Sequence, residues 1–221
     1  LYNACEIARK ILVGKHGVGR VIARPFIGEY PFTRTANRHD YSLLPPKKTM
    51  LNLIEESGKS SIAIGKINDI FAGSGITETY RIKSNLDGVN NTIDIAKSNF
   101  NSGICFTNLV DFDAVYGHRN DIDGYAKALS EFDGKLPELL SVLKGEDMLI
   151  ITADHGCDPS TPSTDHSREY TPMIAVGSGI KSGVNLGVRS SFSDISATIL
   201  HYLKLDKQDT FGNSFLSEIL K

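Results

Sequence analysis

Short apolar runs recur along this chain, and the stretches between them have a different texture. Ser61-Ile62-Ala63-Ile64-Gly65, Gly103 to Val110, Met148-Leu149-Ile150-Ile151-Thr152 and Pro172 to Val176 read as buried strands. Between and after them, residues 49–56, 85–98, 121–144 and 194–204 read as helices. Thr49 is the predicted cap of the first, and Pro137 is predicted to kink the third. Strands alternating with helices predict an α/β fold with a mostly parallel sheet between helices. In such sheets function sits in the loops at the carboxyl ends of the strands.

The first 48 residues differ. Positions 1, 4, 5, 8, 11 and 12 are apolar at helical spacing, and that helix should stop near Gly14. Arg20-Val21-Ile22-Ala23-Arg24 is a predicted strand, broken by Pro25. Residues 25–48 hold five Pro or Gly residues and read as a long functional loop and linker. The chain opens on Leu1 and is helical from its first residues, so it is expected to be part of a longer protein.

Composition excludes several function classes. Hydrophobic residues make up 40% and charged residues 23%, as in ordinary globular domains. The formal net charge of −2 gives no footing for nucleic acid or an anionic membrane. No apolar run approaches the roughly 20 residues of a membrane span, and the opening lacks the pattern of a secretory signal. Cys5, Cys105 and Cys157 are odd in number and widely spaced, which argues against a disulfide framework or a cysteine zinc site. A cytoplasmic setting is expected.

Two predicted strand ends carry dense metal-ligand chemistry. One runs from Asn108 through Asp111, Asp113 and His118 to Asp121; the other is Thr152-Ala153-Asp154-His155-Gly156-Cys157-Asp158, continuing through Asp165, His166 and Glu169. Carboxylate and imidazole together suit Mn²⁺, Zn²⁺ or Fe²⁺. Two such cations a few ångströms apart can hold both the entering and the leaving oxygen of a phosphoryl transfer. Gly117 and Gly156 are expected to let the backbone turn tightly there. Asp-His-Gly alone is a weak signal, equally compatible with a capped helix start. Asp113 and His118 five apart, with His166 eleven residues beyond His155, make it strong. Asp111, Asp158 and Asp165 are expected to shape loops or orient imidazoles rather than ligate. Cys157 is expected to be a small packing residue, and Gly14, Gly17 and Gly19 lack the spacing of a phosphate loop.

These residues resemble the alkaline phosphatase superfamily of two-metal phosphotransferases. Longer strings are similar to its phosphopentomutase family: Val18 to Glu29, Phe32 to Tyr41, Gly65-Lys66-Ile67, Asp69 to Gly73, Val110 to Asp113, Gly117 to Asp121 and Thr164 to Tyr170. The resemblance runs over essentially the whole chain. It implies an alkaline phosphatase-like core at 46–221, lacking its first strands, and the C-terminal part of a small α+β cap with its linker at 1–45.

By position, Asp113, His118 and His166 match the ligands of one manganese, and Asp154 and His155 match ligands of the other. Arg20 and Arg34 match arginines that meet the substrate phosphate. The family's phosphorylated threonine, and another metal-ligand aspartate on an upstream strand, have no counterpart here, so no nucleophile is assigned. The implied activity interconverts ribose or deoxyribose 1-phosphate and 5-phosphate, with two Mn²⁺ (Mg²⁺, Co²⁺ or Zn²⁺ also serving) and a sugar bisphosphate activator. The implied partner is a small pentose phosphate, with no nucleic acid or membrane; the oligomeric state is open. Two other readings stay open: a phosphatase or phosphoglycerate-type mutase of the same superfamily, and a catalytically dead metal-binding fragment.

Overall fold

The computed structural model describes every residue except Ala36 and Asn99; the side chain of Arg34 also lies outside the described set. Helix α1 (Tyr2–Ile11) lies against an antiparallel pair, β1 (Arg20–Ala23) and β4 (His39–Ser42). Arg9 fastens the three, donating to the carbonyls of Leu12, Val18 and Tyr41. Between the paired strands, β2 (Phe26–Ile27) and β3 (Thr33–Arg34) form a small hairpin. The segment expected to be a long loop and linker thus holds three short strands, eight residues in all. Its Pro and Gly residues sit at the bends, where they break strands without preventing them.

The next part carries the expected alternation. Helix α2 (Met50–Glu56) starts at Thr49, whose backbone N–H donates to Asn52 Oδ1 at 2.9 Å. Strand β5 (Ser60–Ile64) is buried over nearly its whole length, as a central parallel strand must be. After the short α3 (Ile67–Ile70) come β6 (Glu78–Tyr80), α4 (Asn85–Lys97) and β7 (Gly103–Thr107). Strands β6 and β7 flank β5, and both pairings are parallel. Helix α5 (Ile122–Val142) continues through Pro137 and packs on α4 through Val89, Ile93 and Leu139.

Strand β8 (Leu149–Thr152) pairs antiparallel with β9 (Met173–Val176). The parallel part of the fold, among the described residues, is thus β6-β5-β7. Helix α6 (Ser193–Tyr202) and the short α7 (Leu216–Ile219) close the C-terminal end. Leu53, Ile54 and Leu200 lock α2 to α6; Ile180, Phe215, Leu216 and Ile219 form a further cluster. Each such fully buried side chain contributes about 1.5–3 kcal/mol. Among the described residues no helix is long and apolar enough to cross a membrane.

This architecture has one functional consequence. Strands β5 and β7 run parallel in register, with Ile64 opposite Thr107. Lys66 and the segment from Asn108 to Asp113 therefore leave the sheet at the same rim.

Candidate metal centre

Beyond β7 the chain makes a wide π-helical turn over Phe112–Tyr116 and then a 3₁₀ turn over Gly117–Arg119. The π turn adds a residue to the ordinary helical period, a feature frequent at functional sites. The 3₁₀ turn ends at Asn120, in the left-handed region with φ 53°. Asp121 then starts α5, its Oδ1 accepting from the Gly124 amide at 2.9 Å. Asp113 and His118 are thereby presented on one short, irregular stretch.

The third residue arrives from far along the chain. Gly156 and Ser167 form an isolated antiparallel bridge, and the Asp158 amide donates to Ser167 Oγ at 2.7 Å. These contacts fold residues 156–167 back as a strap. Asn120 Nδ2 donates to the carbonyls of Thr161 and Ser163 from the other side. His166 is thus brought over Asp113.

The ligand atoms of Asp113, His118 and His166 all lie within 4.8 Å of one another. Nε2 of His118 is 3.1 Å from Asp113 Oδ1, and Nε2 of His166 is 3.2 Å from the same oxygen. His118 Nδ1 donates to the Thr164 carbonyl at 2.5 Å, which orients the ring with Nε2 towards the cluster. One carboxylate oxygen and two imidazole nitrogens converging in this way fit a divalent transition metal. Among the described residues, this is the one group of three or more such side chains that converges so closely.

His155 joins by stacking. Its ring lies on that of His166 at 3.6 Å between centroids, and the His166 ring stacks on His118 at 5.1 Å. Its Nδ1 bonds the Gly156 carbonyl at 3.0 Å, and its Nε2 is 3.6 Å from Asp154 Oδ1. The Asp154 side chain is 72% exposed at the end of β8. The pair expected to ligate a second ion is adjacent to the triad but outside it.

The two glycines are explained differently from the expectation. Neither Gly117 nor Gly156 has a positive φ. A Cβ at Gly117 would collide with Cys157 Sγ; one at Gly156 would come within 2.5 Å of the Ser167 carbonyl and of Glu169 Oε2. They permit close packing of the segments that carry Asp113, His118 and His166, not a tight turn. Cys157 is the packing residue expected. Asp111 shapes a loop: it accepts from the Asn85 amide at 2.8 Å, while its own amide donates to Asn85 Oδ1 at 2.8 Å. Asp158 accepts from Ser160 and caps the strap. The Asp165 amide donates to Ser163 Oγ within it.

A cationic group lies on β1 and β4. Arg38 Nε and Nη2 grip Asp40 at 2.7 and 2.9 Å, and Arg20 Nη1 reaches the same carboxylate at 3.4 Å. Burial works against ionisation of Asp40, but the Arg38 hydrogen bonds and the charges of Arg38, Arg20 and Lys66 more than offset it and hold its pKa below the ordinary value. Lys66, on the rim after β5, has its pKa lowered by burial and by Arg38, with Asp113 acting in the opposite sense. Arg20 is half-exposed, and the side chain of Arg34 lies outside the described residues.

Similarity to known proteins bears on this arrangement. A family model described as the metalloenzyme superfamily matches residues 13–207.

The chain belongs to the metalloenzyme superfamily.

The match spans both stretches that carry the candidate ligands, and the α/β fold with a parallel sheet between helices is the one expected for it. Among curated relatives, a protein named phosphopentomutase from Lachnoclostridium phytofermentans is 61% identical over 222 residues, covering 100% of this chain and 56% of the relative. Proteins of the same name from Acetivibrio thermocellus and Caldanaerobacter subterraneus subsp. tengcongensis are 56% and 55% identical, covering 100% and 99% of this chain and 56% of each relative. The chain thus spans little more than half the length of these relatives. Metal dependence follows from the superfamily and from the triad.

Asn120 pins the strap that carries His166, and Arg38 and Asp40 form the ion pair of the ribbon; the sequence assigned none of them a role, nor Lys66. Arg38 and Asp40 carried a usable signal: residues two apart on a strand share a face. Asn120 carried none, because its partners lie about forty residues away.

Proposed function

We propose that this chain is the C-terminal, metal-holding part of a phosphopentomutase, which moves phosphate between the 1 and 5 positions of ribose or deoxyribose. The observation that carries the reading is the convergence of Asp113, His118 and His166, in a chain 53–61% identical to proteins of that name. In this reading residues 1–45 belong to a cap and residues 46–221 to the core. Asp113, His118 and His166 hold one ion, and Asp154 and His155 contribute to a second. The ions are Mn²⁺, with a sugar bisphosphate as activator. The setting is cytoplasmic, and the small-molecule partner is a pentose phosphate.

The proposed division of labour follows from chemistry. Divalent cations, when bound, neutralise phosphoryl charge and align the oxygens of the transfer. The Asp113 carboxylate and the two imidazoles fix where that charge is met. The Thr164 carbonyl holds the His118 ring so that Nε2 faces inward. Arg20 and Arg34 contact the phosphate, a role their planar forks suit. The nucleophilic threonine is assigned to a part of the enzyme outside these 221 residues.

The test is conversion of ribose 1-phosphate to ribose 5-phosphate by a protein of the relatives' full length, with Mn²⁺ and a sugar bisphosphate primer. Conversion that falls at least 100-fold in Asp113→Asn supports the proposal. Release of inorganic phosphate from many esters without isomerisation would make the protein a phosphatase. No turnover in wild type would leave a metal-binding protein only.

A further inference from the structure

The β1–β4 ribbon has two faces with different duties. In an antiparallel pair, directly opposed residues share a face, as do residues two apart. Ile22 is opposite Asp40, and Arg20 is opposite Ser42. Arg20, Arg38, Asp40 and Ser42 therefore line one face. His39 and Tyr41 belong to the other, where Tyr2 of α1 meets the His39 ring. The first face is tied to the core: Ser42 Oγ donates to the Asp69 carbonyl at 2.6 Å, on the helix that begins one residue after Lys66.

Asp40 is the centre of this face. Its side chain is only 7% exposed and takes three charged donor contacts, two from Arg38 and one from Arg20. Lys66 adds its charge to the same group and also senses Asp113 of the metal triad. Arg38, Arg20 and Lys66 surround Asp40, and Asp69 also acts on Arg38, so three cations face two carboxylates and one net positive charge is left on this face. A carboxylate gripped by the Arg38 fork fixes the plane of that guanidinium, and Nη1 of Arg38 is left out of the fork. Without Asp40, the arginines would repel one another and Lys66, and each would lose its fixed orientation.

We propose that Asp40 is a positioning residue for phosphate recognition: it holds Arg38 and Arg20 as a preassembled cationic clamp on the ribbon face that Ser42 ties to the core, and Arg38 thereby becomes a phosphate-binding side chain. The inference rests on the phosphomutase reading for its substrate, a sugar phosphate. It does not rest on that reading for its chemistry, which is the binding of a phosphoryl dianion.

The experiment uses a protein of the relatives' full length carrying Asp40→Asn, Asp40→Glu or Arg38→Lys. Two quantities are measured: binding of inorganic phosphate to the EDTA-treated protein by calorimetry, and KM and kcat for ribose 1-phosphate with Mn²⁺. Asp40→Asn is expected to weaken phosphate binding and raise KM by about tenfold, with kcat changing less than threefold, because it removes orientation rather than chemistry. Arg38→Lys keeps the charge but loses the fork, and should move KM in the same direction. Asp40→Glu restores the carboxylate and should recover part of the loss. Wild-type phosphate binding lost in Asp40→Asn, without any ribose phosphate turnover in wild type, would sustain the clamp and sink the mutase reading. Normal turnover with phosphate binding and KM unchanged within twofold in both Asp40→Asn and Arg38→Lys would overturn the clamp alone. So would a fall in melting temperature in these variants with KM untouched, the mark of a purely structural ion pair.

Discussion

Asn120 Nδ2 and the carbonyl of Ser163 are joined by a 3.1 Å hydrogen bond across 43 residues of chain. With the companion bond to Thr161, it pins the strap that carries His166 to the turn that carries Asp113 and His118. Asn120→Gly accommodates the left-handed backbone but loses both bonds. Divalent-metal affinity, measured by calorimetry with Mn²⁺, should fall by about 10-fold, the scale of a lost orienting contact. Unchanged affinity would mean that the Gly156–Ser167 bridge, the Asp158–Ser167 bond and the His118–Thr164 bond hold the strap without Asn120.

Gly117 and Cys157 make a compensating pair. Gly117→Ala drives a methyl group into Cys157 Sγ and should destabilise the protein by about 1–3 kcal/mol in denaturant unfolding. Cys157→Ala in the same chain should return part of that loss. The return cannot be complete, because the new Cβ also lies 3.0 Å from the Phe112 carbonyl.

The buried Asp194 gives the fold an acid-sensitive limb. Its carboxylate accepts from the Asn213 amide at 2.8 Å and from Arg189 Nε at 2.9 Å; the Asn213 bond is the larger cause of a pKa held below the ordinary value. The folded pKa thus lies below the unfolded value of about 3.9. The stabilisation is complete above that pH and is lost as pH falls through the folded value. Asp194→Asn should cost about 1.5–3 kcal/mol at pH 7 and flatten the decline of stability below pH 4. Urea melts from pH 2.5 to 7 would measure both.

Cys105 should be chemically silent in the folded protein. Burial pushes its pKa up to about 11, with the Thr107 contact only partly offsetting this. At pH 8 roughly one molecule in a thousand carries the thiolate. Iodoacetamide labelling followed by mass spectrometry should leave Cys105 unmodified until urea unfolds the chain. Rapid modification of the native protein would contradict this burial.

The legible parts of the molecule were those governed by local rules. The strand around Ile62 and Ile64 announces itself by its apolar run, and Thr49 by its place before a helical pattern. Asp113, His118 and His166 were legible because ligand-type residues cluster after apolar strands. The cationic face was harder: Pro25, Pro31 and the glycines around them masked a ribbon whose pairing depends on strands about twenty residues apart. The roles of Gly117 and Gly156 were misread because a missing side chain is explained by what lies opposite, and Cys157 and Ser167 come from elsewhere in the chain or across a bridge. Strand β6 is three exposed, mostly polar residues, held by its neighbour and not by its own pattern.

His166 meets Asp113 across 53 residues. An ion gripped by both would be a reversible cross-link closing a loop of that size. A covalent bridge over such a loop removes about 4 kcal/mol of freedom from the unfolded chain. Chelation would then do more than silence chemistry: it would loosen the whole span from β7 to the strap. Melting temperature would rise with free metal concentration in the manner of any ligand that binds only the native state.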